Sequence, residues 1–291
     1  MGANLLLEGA GTLEALAFRK ALQAQAIDLA FHTDDDHSYA TLKSLSEHKD
    51  RAFELLALTL TQPRFDTDAV ARIRAQQLTI LRKLEEQPSY AANRELRTRL
   101  FSGHPYGRLP RGTEDSVAAL TPAQLAAWPK RHFARENLIL AVAGDIRAKE
   151  LAELLDTHFA ALPKMPKAAA NIPDIEPRWF AEPVTITQNI PQTVVRFALP
   201  SLKRSDPDFY ALYLMNHILG GGTLTSRLAH AIREERGLAY YANSFLDIQQ
   251  HTQYIAGRFG TRNTQAEEAV SVMRDVLQRA VDPGFTKEEL E

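Results

Sequence analysis

No cysteine occurs among the 291 residues. Disulfides, zinc–thiolate sites, iron–sulfur clusters and cysteine nucleophiles are therefore excluded. A surplus of one charge is also lacking: 34 Lys and Arg face 36 Asp and Glu, a formal net charge of −2. That balance argues against nucleic-acid or anionic-membrane binding driven by bulk charge. No stretch approaches the ~18 consecutive apolar residues of a transmembrane helix. The opening MGANLLLEGAG lacks a basic segment, and its apolar run covers only Leu5 to Leu7. It does not read as a signal peptide, so any leader is expected upstream of Met1.

What is present is ordinary globular composition, 45% hydrophobic and 24% charged, in a chain long enough for two domains. Thr12 to Ala24 is apolar at Leu13, Leu16, Ala17, Ala21 and Leu22, a helical spacing. Ile27 to Leu45 reads as two strands around the polar turn HTDDDHS. Helices are expected over Lys49 to Leu60, Thr67 to Glu86, from Thr121, and over Ala148 to Ala161. The run LILAVA, Leu138 to Ala143, is expected to be a buried strand. In the second half, Val184 to Thr187 and Val194 to Leu199 alternate like strands, and a helix is expected from Pro207 to Leu219.

The segment PKMPKAAANIPDIEPRW carries Pro163, Pro166, Pro173 and Pro177 without periodicity. We place a linker there, over 164–179, between a first domain of 1–163 and a second of 180–291. The halves look alike. EGAGTLEALAFRKAL and LGGGTLTSRLAHAI each give a Gly-rich turn, a Thr-Leu pair and an amphipathic helix. The offset is 211 residues from Gly9 to Gly220 and 220 from Pro63 to Pro283, which points to an internal duplication. Each copy supplies segments that the other lacks. The first domain is thus expected to be incomplete at its N-terminus and the second at its C-terminus. The fold class is α/β (α+β), two duplicated domains, each a largely antiparallel sheet with helices packed on one face.

Four places invite a chemical reading. The turn from His32 to His37 gathers two His and three Asp, but Asp favours such turns for its backbone hydrogen bonds, and a structural role is expected. Gly220-Gly221-Gly222 precedes a helix without Gly-Lys-Ser/Thr or G-x-G-x-x-G spacing. It reads as a close chain approach or tight turn, with Thr223 or Thr225 as cap, rather than a phosphate cradle. His104, between Gly103 and Pro105, reads as a packed loop residue. The segment from Arg233 to Tyr240 runs from a helix end through Gly237 into a strand. There Arg233 offers a fork of donors and Tyr240 a phenolic donor for an oxyanion. The bland alternative is a solvated helix arginine and a half-buried strand aromatic.

At this segment the chain resembles the pitrilysin/insulinase family of zinc peptidases, in the short two-domain branch that includes the mitochondrial processing peptidase. SDPDFYALYLMNHILGGGTLTSRLAHAIREERGLAYY carries the likeness in the second half. SLSEHKDRAFELLALTLTQPRFD, HPYGRLPRGTEDSVAALT and NLILAVAGDI carry it in the first. Active members hold zinc through H-x-x-E-H and a later Glu. By resemblance, Ala3 stands at the general base, Asn4 at the second His and Ile80 at the distal Glu, while Ile73 falls on a supporting acidic position. No metal site is therefore expected on this chain.

The Arg/Tyr pair that the family brings to the active site from the opposite domain or subunit maps to Arg233 and Tyr240. The resemblance implies a non-catalytic, substrate-binding subunit of a heterodimeric zinc peptidase acting on extended peptides. Its partner would be a homologous subunit bearing the zinc motif and holding the zinc. No nucleic acid and no membrane span are implied, and a bacterial periplasm or cytoplasm fits equally. The alternative is a structural or docking protein of the same fold without a proteolytic role. An autonomous zinc peptidase is disfavoured by Ala3, Asn4 and Ile80.

Overall fold

A computed structural model describes residues 1–166, 171–222 and 224–290. The chain divides into two compact units, residues 1–82 with 110–171, and residues 83–109 with 172–291. Residues 83–109, assigned by sequence to the first domain, thus pack within the second unit. Part of the expected linker, 167–170, lies outside the described residues. No described helix is long and apolar enough to cross a membrane.

The first unit opens with α1 (Gly2–Leu5), the two-residue strands β1 (Gly9–Ala10) and β2 (Leu13–Glu14), and α2 (Ala15–Ala24). The antiparallel hairpin of β3 (Asp28–Thr33) and β4 (Ser38–Lys43) follows, in register from Asp28↔Lys43 to Thr33↔Ser38. Then come α3 (Lys49–Thr61) and α4 (Thr67–Glu85). The next helix, α5 (Pro88–Leu100), belongs to the second unit. The first resumes with α6 (Glu114–Ala118), α7 (Pro122–His132) and α8 (Ala148–His158).

Helix starts follow from capping chemistry. Thr113 and Thr121 each accept from the amide three residues on, and Ser116 and Gln124 bond back, closing capping boxes. One core forms where Phe18 and Leu22 of α2, Phe53, Leu56 and Leu60 of α3, and Leu154 of α8 converge. A second joins Leu5 and Leu6 to Val70 and Ile73 of α4 and Leu125 of α7.

The second unit holds a three-stranded antiparallel sheet in the order β5 (Gln192–Pro200), β7 (Gln253–Arg262), β6 (Ala239–Ile248). Between β5 and β6 lie α9 (Phe209–Asn216), a π-helical turn at His217–Gly221, α10 (Arg227–Ala229) and a second π-helical turn at His230–Glu234. After β7 comes α11 (Ala266–Val281). Ala269, Val272, Met273 and Val276 line one stripe of α11, the spacing of a helix with one buried face. They pack with Phe259, Ala242, Ile232 and Leu228 on one face of the sheet. Because successive strand side chains alternate, Ala256 and Tyr254 of β7 emerge on the other face. There they pack with Leu100 and Phe101 of α5 and with Tyr106.

The order helix, hairpin, 3-10 turn, helix, proline recurs. The 3-10 turn at Ser46–His48 precedes α3, and that at Asn263–Gln265 precedes α11. Two expected strands are not formed. Leu138 reaches the first core, but Ile139 is 93% exposed, Leu140 and Val142 are exposed too, and no described strand pairs with the run. Val184 and Ile186 are likewise exposed and outside any strand. An apolar alternation makes a strand only where a ladder partner satisfies its backbone, and neither segment has one among the described residues.

Candidate functional site

Three residues beyond the second π-helical turn lies a left-handed glycine. Gly237 has φ +60°, a conformation that costs a side-chain-bearing residue but not glycine. Its amide bonds to the Arg233 carbonyl at 2.9 Å, and the Leu238 amide reaches back to Ile232 at 2.8 Å. The nested bonds turn the chain directly into β6.

The first residues of β6 contain a bulge. Ala239 pairs with Thr261 and Ala242 with Phe259, so Tyr240 and Tyr241 together oppose the single residue Gly260. The alternation breaks there: Ala239 and Ala242 are buried while both tyrosines face outward. Tyr241 lies over Gly260, where an added Cβ would sit 3.3 Å from its Oη. Tyr240 is 85% exposed. Its ring lies under the guanidinium of Arg233, with Cζ 5.5 Å from the ring centroid.

Arg233 keeps one loose contact with Glu234, Nε to Oε1 at 3.5 Å. Its neighbouring arginines are committed to structure. Arg236 donates to the Ala231 carbonyl at 2.9 Å and pairs with Glu235. Arg227 forms a two-pronged bond with Glu289, donates to the Gly284 carbonyl and lies over Phe285. Arg233, half-buried, and Tyr240, exposed, are thus brought together. The pair can hold a carbonyl or carboxylate and hydrogen-bond an oxyanion. The bulge departs from the plain strand expected after Gly237. Its trace is the doubled tyrosine, Ala-Tyr-Tyr-Ala, which breaks a period of two.

The positions that the resemblance matches to the family's metal site lie in the first unit. Ala3 and Asn4 are on α1, and Ile73 and Ile80 on α4. Ile73 is a core residue with Leu5 and Leu6, so the two helices meet through apolar contacts. Ile80 is partly exposed. Alanine and isoleucine carry no donor atom, and the set does not fit zinc. Among the described residues, no group of three His, Asp or Glu is arranged to hold a metal ion.

The acidic turn is built for itself. Asp34 accepts from the amides of Asp36 (2.8 Å) and His37 (2.6 Å) and from Tyr39 Oη (2.8 Å). Partial burial opposes its ionisation, yet these donors outweigh burial and hold the carboxyl below its ordinary range. His32 stacks on Tyr39. His104 is buried: its Nδ1 accepts from the Tyr106 amide at 3.2 Å and its Nε2 donates to the Pro173 carbonyl at 3.0 Å. Gly220 marks a close approach, for a Cβ there would lie 2.4 Å from Ser244 Oγ. Of the two suggested caps, Thr223 lies outside the described residues, and the observed cap of α10 is Ser226.

Comparison with known proteins agrees on one family. A family model described as the peptidase M16 inactive domain matches residues 119–291. The chain is similar to the non-peptidase homolog YmxG of Helicobacter pylori, 26% identical over 290 residues, covering 99% of this chain and 66% of that protein. It is similar to an uncharacterized zinc protease of Mycobacterium leprae, 28% identical, covering 98% of this chain and 64% of that one. The chain thus spans slightly under two thirds of these relatives. A crystal structure of the peptidase M16 inactive domain from Pseudomonas fluorescens superposes with a TM-score of 0.90 at 30% identity, covering 99% of this chain and 70% of that one.

Proposed function

The chain belongs to the peptidase M16 family, matching its inactive domain, and from that premise we propose that it is the non-catalytic, substrate-binding subunit of a heterodimeric zinc peptidase. The observation that carries this reading is the Arg233–Tyr240 pair, a half-buried arginine over an exposed tyrosine, set by a left-handed glycine and a β-bulge. A scaffold has no need of an arginine in a helical turn stacked over an outward-facing tyrosine on a bulge. Ala3, Asn4 and Ile80 support the same division of labour, since they cannot bind zinc or activate water. The metal and the general base belong to a homologous partner.

In this reading Arg233 binds a carbonyl or carboxylate of an extended peptide. Tyr240 Oη donates to the oxygen that gains charge as the peptide carbon becomes tetrahedral. Such a donor stabilises the transition state more than the ground state. Reconstitution tests the proposal. The chain alone is expected to leave a flexible peptide intact, and mixing it with an H-x-x-E-H homologue is expected to give chelator-sensitive cleavage. Cleavage by the partner that is unchanged by this chain would favour the scaffold reading.

A further inference from the structure

Another charged feature lies on the sheet of the second unit. Arg258 of β7 and Arg196 of β5 are direct register partners. They emerge on the face that α5 covers further along. On the β6 side, Arg258 is paired with Asn243, a neutral amide. Like charges placed opposite one another destabilise a sheet. Among the described residues neither guanidinium has an ion-pair partner: Arg258 Nε donates to Asn243 Oδ1 at 3.1 Å, and Arg196 Nη1 is buried with no hydrogen-bond partner.

Both groups are positioned rather than loose. Arg258 Cζ is 5.9 Å from the ring centroid of Tyr241 and 6.0 Å from that of Phe245, two residues that flank Asn243 on β6. Burial above all, opposed by Tyr241 and reinforced by the Arg258 charge, holds the Arg196 pKa below its ordinary range. A buried charged donor without a partner carries a desolvation cost that an arriving acceptor would remove. Arg196 and Arg258 line a groove of about 320 Å³ whose other wall includes Tyr90 and Asn93 of α5. One carboxylate lines the groove, Asp247. It stands four residues beyond Asn243 along β6, about 13 Å by strand rise, and accepts from Tyr254 Oη at 2.8 Å.

We infer that this groove is a carboxylate site, in which Arg196 and Arg258 together clasp an acidic side chain or a free C-terminus of an extended peptide. Forked guanidinium donors match the two oxygens of a carboxylate. That the carboxylate belongs to a peptide rests on the function proposed above; the oxyanion chemistry does not. Tyr241, beside Arg258, is the chain neighbour of Tyr240, so one stretch of β6 joins the groove to the Arg233–Tyr240 pair.

The test uses the full chain and three fluorescent peptides of one sequence: with an internal Glu and a free C-terminus, with that Glu changed to Gln, and with the C-terminus amidated as well. Affinity, read by anisotropy, is expected to fall about tenfold at one of the two steps, the size of one charge-assisted hydrogen bond. The step that shows the fall identifies the source of the carboxylate. The fall should vanish in Arg258→Gln and Arg196→Met, with folding checked by circular dichroism. Arg258→Lys, which keeps the charge and loses the fork, should give an intermediate value. Equal binding of all three peptides overturns the inference, as does a variant that weakens all three alike. If no peptide binds in any form, the peptide-subunit reading fails and N-acetylglutamate judges the groove by NMR. Saturable shifts of two arginine Nε–H signals, lost in the variants, support the site, and no shifts overturn it.

Discussion

The Arg233 guanidinium covers the Tyr240 ring, Cζ 5.5 Å from its centroid, although the two belong to different elements. One ends a helical turn and the other begins a strand. They meet because Gly237 takes φ +60° between them and because the bulge turns Tyr240 outward. The pair is therefore a property of backbone geometry as much as of the two side chains.

Gly237→Ala tests that dependence. Nothing lies within 4 Å of an added Cβ, so the cost is backbone strain, about 1–2 kcal/mol. A fall in Tm of a few degrees is expected at about 2–4 °C per kcal/mol. Gly237→Asn, which tolerates the left-handed region, should lose less. Thermal melting of the three proteins side by side checks the ordering; equal melting contradicts the turn's role.

Gly220→Ala should be worse. Its Cβ would overlap Ser244 Oγ at 2.4 Å and Ser244 N at 2.6 Å, and Ser244 is held by a buried bond to Asn216 at 2.8 Å. Overpacking against backbone typically costs about 1–3 kcal/mol. Urea unfolding should show a lower midpoint with an unchanged slope. A wild-type midpoint would mean that the chains can separate there freely.

The pairing of Arg227 with Glu289 predicts a pH dependence. The Arg227 guanidinium first, then the Thr286 amide, bring the Glu289 carboxyl to about 2 from its ordinary 4.5. A carboxylate whose pKa falls on folding adds stability that is fully present above about 4.5. That contribution is lost as pH drops from there through about 2. Glu289→Gln should therefore lower stability at neutral pH and flatten the wild-type decline between those limits. A decline of the same size in both proteins would assign it to other carboxylates.

Much of the fold is legible in sequence because its signals are local. The hairpin at 28–43 declares itself by alternation around an Asp-rich turn, and α7 by Thr121, Pro122 and Gln124 in order. What fails is what depends on distant partners. Leu138 to Ala143 reads as a buried strand, yet Ile139 is exposed, because pairing is decided by which strand arrives alongside. The Arg233–Tyr240 pair is legible through its spacing and the family resemblance. The bulge beneath Tyr240 and the opposition of Arg196 to Arg258, 62 positions apart in the chain, arise only from the register of three strands.

Zinc binding is expected to be absent at stoichiometric level after the chain is loaded and desalted. Asn4 and Ile80 offer no competent ligand set, and Asp34 is already occupied by three donors. Metal analysis checks this. One tightly held zinc per chain, lost in His32→Ala or His37→Ala, would reassign the acidic turn.

If, as proposed, this chain lends Tyr240 and Arg233 to a partner's active site, the turnover of the reconstituted pair carrying Tyr240→Phe reports it. Losing one preorganised oxyanion donor should lower kcat by about 10²–10³. Partner binding and thermal stability should stay unchanged, because Tyr240 is exposed. Arg233→Ala in the same assay should also raise KM, since it removes a contact made to bound peptide. Wild-type kcat and KM in both variants would contradict the account and leave the chain as a scaffold.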